Sequence, residues 1–222
     1  MNKISYTLTL TADGEPASGL GSGLTDALLP RNAQGQVIFP ATHLKGIIRE
    51  NLSILPDEIV PGSAVAKLFG QEGSDPEGSA LFHLDDAAAP ADTAVITITR
   101  TRLSTFGVAE NQTLRSSEAV ACNTEFTGTI THHPSLARPF IDLLKLGFLS
   151  LFAVGGGRSR GAGACYVTLD SETRTPGELL KSLDPTAFNG PALERTPGRI
   201  QVKFSGRRTL LKLEFTATGP VC

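Results

Sequence analysis

Gly155-Gly156-Gly157-Arg158-Ser159-Arg160-Gly161-Ala162-Gly163 separates two segments of different pattern. Before it, the apolar run from Ile141 to Val154 predicts a helix; after it, Ala164-Cys165-Tyr166-Val167-Thr168-Leu169 predicts a strand. Five glycines in nine positions let the main chain take positive φ and let a partner come close to it. Exposed N–H groups in such a loop form a concave nest for anions, and Arg158 and Arg160 add forked cationic donors. The glycines alone would also suit a long solvated turn, but a simple connector has no need of two arginines. No Lys-Ser/Thr pair follows the last glycine and no helix follows the loop, so the nucleotide-phosphate motifs are absent. The expectation is a loop that holds a phosphate chain, without a nucleotide cofactor.

Working outward, Ile4–Thr11 alternates apolar and polar residues, the signature of a half-buried strand. A long Gly/Ala/Ser/Asp loop from Ala12 to Gln36 follows, carrying Asp13, Asp26 and Arg31, and a loop of that length calls for a functional reason or for mobility. Val37-Ile38-Phe39 is a short strand stopped by Pro40. Thr42 reads as the N-cap of a helix through Leu52, with Leu44, Ile47, Ile48 and Leu52 on one face and Lys45 and Arg49 on another. Pro61–Phe69 reads as a second short helix, Ala80–Leu84 as a strand, and Ala87–Asp92 as a loop.

Ala94–Thr99 is a further alternating strand. The chain re-emerges at Glu118–Cys122, so residues 99–118 read as a hairpin arm carrying Arg100, Arg102 and Arg115. Thr124–Ile130 is a strand, and Ser135 a candidate cap for the long helix. A short helix near Gly177–Leu183 and strands at Ile200–Phe204 and Leu210–Phe215 close the chain. The order strand–helix–strand–strand–helix–strand predicts an α+β, ferredoxin-like (RRM-like) split βαβ fold with an inserted hairpin. One domain spans 1–222; residues 205–222 read either as an edge strand of this sheet or as the opening of a further domain.

Composition sets bounds. The 222 residues are 40% hydrophobic and 19% charged, enough for a sizeable core. Three cysteines, odd in number and far apart, suggest neither a disulfide framework nor a zinc site. A net charge of −2 excludes a generally sticky nucleic-acid binder, so any RNA site must be a local basic stripe. Without a membrane-length apolar run or a signal-peptide layout, the expected location is cytoplasmic, with no membrane partner.

Val37-Ile38-Phe39-Pro40-Ala41-Thr42-His43-Leu44-Lys45-Gly46-Ile47-Ile48-Arg49 resembles the "IPGSSLKGxxR" start of the first helix in CRISPR-associated RAMP proteins. Gly155–Gly163 is similar to their C-terminal glycine-rich loop. The arm from Arg100 to Glu118, ending in Arg-x-x-Glu before a strand, resembles the thumb hairpin of backbone subunits in type III effector complexes. Ala41-Thr42-His43 departs from the Gly-Ser-Ser of the family, so Lys45, Gly46 and Arg49 carry over directly. The resemblance implies a subunit that polymerises with like subunits and other effector proteins along a CRISPR guide RNA, its thumb spacing guide from target RNA.

In that reading Lys45, Arg49, Arg158, Ser159 and Arg160 hold RNA phosphate, while Arg100, Arg102, Phe106 and Arg115 serve the thumb. Some backbone subunits cut target RNA, and the resemblance implies Asp26 as catalytic and metal-holding residue with Mg²⁺ or Mn²⁺. By its residues alone Asp26 reads equally as a turn-forming surface aspartate. Two alternatives stay open: a metal-independent guide-processing endoribonuclease using His43 as general acid–base, and a non-catalytic structural or capping subunit.

Overall fold

The computed structural model describes residues 2–16, 21–22, 25–70, 80–102, 104–170 and 172–193. In chain order its elements are β1 (Asn2–Leu10), β2 (Ile38–Phe39), α1 (Ala41–Ser53), α2 (Gly62–Phe69), β3 (Phe82–Leu84), β4 (Ala87–Ala88), β5 (Val95–Arg100), β6 (Arg115–Val120), β7 (Glu125–His132), α3 (Arg138–Leu149), β8 (Cys165–Leu169) and α4 (Pro176–Ser182). The main sheet runs β2-β4-β7-β1-β8, with β3 also paired to β7, and every neighbouring pair is antiparallel. β5 and β6 form a separate two-stranded ribbon, in register from Val95–Val120 to Arg100–Arg115. No helix among the described residues is long and apolar enough to cross a membrane.

Alternation along β1 explains the layering. Tyr6, Leu8 and Leu10 point inward with Phe126 and Ile130 of β7, against Leu44, Ile48 and Leu52 of α1 and Phe140, Leu144 and Phe148 of α3. The opposite face carries Ser5, Thr7 and Thr9, with Thr127, Thr129, Thr131 and Thr168 beside them. Two glycines permit the tightest contacts. A Cβ on Gly128 would stand 2.4 Å from the Tyr6 ring, which lies across that position and meets Phe148 at 5.0 Å between ring centroids. A Cβ on Gly147 would stand 2.6 Å from Ile48 Cγ2, so this glycine lets α3 close on α1.

Several boundaries differ from the sequence reading, each for an identifiable reason. Thr42 is not the cap of α1. The helix starts at Ala41 behind Pro40, and the Ala41 N–H donates to Asp86 Oδ1 at 2.7 Å, so a distant carboxylate does the capping. Ala87 and Ala88 are not loop but the strand joining β2 to β7. Ser135 does not cap α3, which begins at Arg138 after Ala137; the Ala137 N–H is taken by Ala192 O at 2.9 Å. Nor does α3 continue to Val154. It ends at Leu149 because the next residues pair with the approach to β8, through Cys165 N–H to Phe152 O and Val154 N–H to Gly163 O, both 2.9 Å. Arg115 and Glu118 lie inside β6, not ahead of it. The strands expected at 200–204 and 210–215 lie outside the described residues.

A buried ionic cluster ties the segment after β8 to α3. Lys145 Nζ donates to Glu172 Oε2 at 2.9 Å, and Arg174 bridges Glu172 at 2.7 Å and Asp142 at 2.8 Å. Hydrogen bonds from Arg174 first, and from Lys145 next, hold the Glu172 carboxyl well below its ordinary 4.5. A carboxylate depressed by folding stabilises the native state above its unfolded value, and that stabilisation fades as pH falls below it. Tm should therefore drop as pH is lowered through about 4.5. Glu172→Gln should lower Tm at pH 7 and flatten that acid limb in a thermal-melt series. Gly128→Ala should cost about 1–3 kcal/mol by overpacking against Tyr6, measured by urea unfolding.

Candidate nucleic-acid interface

The glycine loop closes on itself at a narrow neck. Ala153 bridges Ala164, and Gly163, at φ +66°, is packed so close that a Cβ would lie 1.9 Å from Val154 O. Beyond the neck Arg158–Arg160 forms a single 3-10 turn between Gly157 and Gly161, both left-handed, with Arg158, Ser159 and Arg160 exposed. The loop thus presents its two guanidinium groups from a fixed frame.

α1 holds one side of that frame. The Gly155 N–H donates to His43 Nε2 at 3.0 Å, and Arg158 approaches Glu50 at 3.5 Å. Burial first, and the Arg158 charge second, push His43 below its ordinary 6.5. A neutral imidazole is what the bond requires, since Nε2 must offer a lone pair to Gly155. The lone pair that a general base would use is thereby engaged. Lys45 lies on the opposite flank of α1, its ammonium 5.8 Å from the Phe82 ring centroid, beside a groove of about 440 Å³ lined by Ala41, Thr42, Phe82, His83 and Asp85. Burial first, and the Arg49 charge second, lower the proton affinity of Lys45.

The segment after β1 holds the other side. Glu15 O accepts from Gly156 N–H and Asp13 O from Gly163 N–H, both at 2.8 Å. The Glu15 carboxylate takes both Nη atoms of Arg100, one at 2.8 Å, and the Ser117 hydroxyl at 3.2 Å. Arg100 is therefore a neutralised cation at the base of the hairpin. Arg102 pairs with Glu110 at 3.3 Å within the hairpin, while Arg115 and Phe106 are exposed, Phe106 at 91%. Among the described residues Lys45, Arg49, Arg115 and Arg160 have no carboxylate partner.

Asp26 stands on the flank of β6. Its Oδ2 accepts from Ser116 N–H at 2.7 Å and its own N–H donates to Ser116 O at 2.8 Å. Asp13 Oδ1 similarly accepts from Cys122 N–H at 2.9 Å. Of the predicted residues, the structure brings Arg158, Ser159 and Arg160 together on the loop, with Arg100 tied to it through Glu15, and sets Lys45 on the far flank of α1 and Arg102 and Phe106 apart on the hairpin. Sequence reasoning missed Glu15 and Ser117. A lone acid in a polar loop and a serine in a strand carry no local mark of their meeting.

Because His43 is lowered by folding, its contribution is present above its unfolded value and lost as pH falls. The amides of Gly155, Gly156 and 160–163, each bonded within the protein, should be well protected at pH 8 and should exchange faster, after correction for intrinsic rates, near pH 5. His43→Ala should show the fast behaviour at both pH values.

No family model matches the chain, and no curated protein matches it. Solved structures share its fold, among them two of one assembly. A chain of the Type III-B Cmr-beta assembly bound to cognate target RNA, determined by cryo-EM, superposes with a TM-score of 0.62 at 14% identity, covering 76% of this chain and 97% of that one. A chain of the apo Type III-B Cmr-beta structure gives 0.61 at 14% identity, covering 77% and 98%. At that identity the likeness is one of fold: this chain has the architecture of a Type III-B Cmr-beta chain.

Proposed function

We propose that this chain is a RAMP-type, RNA-binding backbone subunit of a CRISPR type III effector complex. The order β8-β1-β7-β3, with α1 and α3 on one face, is read as a ferredoxin-like split βαβ, and the β5–β6 ribbon as its thumb. The observation that carries the proposal is the fixed glycine loop, bonded to α1 through His43 and to residues 13–15, with Arg158 and Arg160 exposed on its outer turn. Such a rim suits a phosphodiester chain: it offers positive charge and main-chain N–H groups without a pocket that selects a base. Sequence is then left to pairing between guide and target. Like subunits and other effector proteins are the partners this reading implies.

No group of three or more His, Cys, Asp and Glu side chains among the described residues is arranged to hold a metal ion, and one Asp26 oxygen is occupied by Ser116 N–H. These residues do not by themselves make a Mg²⁺ or Mn²⁺ site, so no step is assigned to a metal, and Asp26 is read first as a clip on the hairpin base. One observation favours the second reading, cleavage of target RNA: Asp26 is exposed and its Oδ1 has no protein donor among the described residues. RNA oxygens would have to complete any metal shell there. In an assembled complex with Mg²⁺ or Mn²⁺, Asp26→Asn should leave target affinity and target integrity as in wild type. Cutting by wild type that this variant abolishes at unchanged affinity would make Asp26 catalytic.

The interface is tested through salt. Each phosphate contact to a single strand contributes about 0.7 to the slope of log K against log salt. Arg158→Ala with Arg160→Ala should flatten that slope by about 1.4 and weaken unrelated RNA sequences equally. Loss confined to particular sequences, with the slope unchanged, would reject a phosphate-holding loop.

A further inference from the structure

Residues 13–16 belong to neither the glycine loop nor the hairpin, yet they are bonded to both. Toward the loop, Asp13 O and Glu15 O receive the N–H groups of Gly163 and Gly156, each at 2.8 Å. Toward the hairpin, Gly14 exchanges both main-chain bonds with Val120, at 2.9 and 2.8 Å, and Asp13 Oδ1 caps Cys122 N–H. Asp13 and Glu15 each serve the loop through the main chain and the hairpin side through the side chain, and of the two it is Glu15 that reaches side chains of both hairpin strands, Arg100 and Ser117. The contact is tight enough that a Cβ on Gly155 would stand 2.8 Å from Glu15 O. The Glu15 side chain is 13% exposed and that of Arg100 39%. A two-point carboxylate–guanidinium pair of this kind orients the arginine while leaving part of its fork open to another oxygen.

We propose that Glu15 is a positioning residue that couples the glycine loop to the β5–β6 hairpin, so that an anion held by the loop also orders the hairpin and the Arg100 guanidinium at its base. The proposal rests on the RNA-binding reading for the identity of the anion, but the seam itself is a property of the fold. Its chemistry has a sign that separates it from simple electrostatics. Glu15 is an acid beside Arg100 and Arg160, so removing its charge should strengthen binding of a polyanion if charge alone mattered. A positioning role requires the opposite, because an unpaired Arg100 loses its fixed direction and the hairpin loses its tie to the loop.

The test uses the full chain, a single-stranded RNA probe and amide exchange read at Ser116–Val120 and Gly156–Gly163. Glu15→Gln keeps the side chain's shape, and Glu15→Asp keeps the carboxylate on a shorter arm. In wild type, RNA should slow exchange in both segments. In Glu15→Gln it should slow exchange in the loop alone, with RNA affinity lower by about fivefold or more despite the lost negative charge. Glu15→Asp should recover part of both effects. Affinity that rises in Glu15→Gln, or RNA protection that still reaches both segments, would overturn the proposal. So would a variant with a lower Tm but wild-type coupling, since that marks a purely structural acid. If wild type binds no RNA, the functional reading fails separately. Exchange without RNA then judges the seam: Glu15→Gln must loosen both segments together, and loosening of the hairpin alone would reject the coupling.

Discussion

The architecture around the rim depends on one steric constraint: at Gly163 there is no room for a side chain. Its Cβ position is blocked by the Val154 carbonyl, and its main chain is bonded to Val154 on one side and to Asp13 on the other. With the neck closed there, the end of α3 is delivered directly to the start of β8, and the nine-residue loop stands out as a unit. The N–H groups of Gly155 and Gly156 are then turned outward, where His43 and Glu15 take them. A larger residue at the neck would open the loop, and both of those attachments would lose their geometry together.

The regular elements were legible from alternation and helical spacing because burial of one face is a local, periodic demand on sequence. β1, α1, β5, β7, β8 and α4 lie where the patterns of their residues put them. The failures cluster where a main-chain group is satisfied from far away. Asp86 caps α1 across 45 residues, and Ala192 O takes the Ala137 amide just ahead of α3. Phe152 and Val154 look helical by composition but are drawn into pairing with the β8 approach. The interface was half legible. Arginines in a glycine loop announce a site in one dimension, whereas the carboxylates that orient them, Glu15 for Arg100 and Glu50 for Arg158, come from other segments.

Charge is arranged by depth. Where cations are buried they are matched: Lys145 and Arg174 face Glu172 and Asp142, since an unpaired buried ion is strongly destabilising. Halfway out, Arg100 is held by Glu15 and keeps partial exposure. On the surface, Arg115 and Arg160 have no carboxylate partner among the described residues and need none, because water solvates them. The acidic net charge of −2 is therefore compatible with a local positive rim.

The face of the sheet away from the helices has a bearing on traffic across the molecule. Thr7 sits between Thr127 and Thr168, with Ser5 opposite Thr129, so the middle of that face is a floor of short hydroxyl side chains. β-branched residues suit the pleat and neighbouring hydroxyls pair across strands, which makes the floor stable without charge or aromatic rings. Along the strands the floor gives way to Lys3, opposite Thr131, at one end and to the half-exposed ring of Tyr166, opposite Thr9, at the other. That face is in consequence graded, low in relief across its centre, with a charge to offer at one end and a ring at the other.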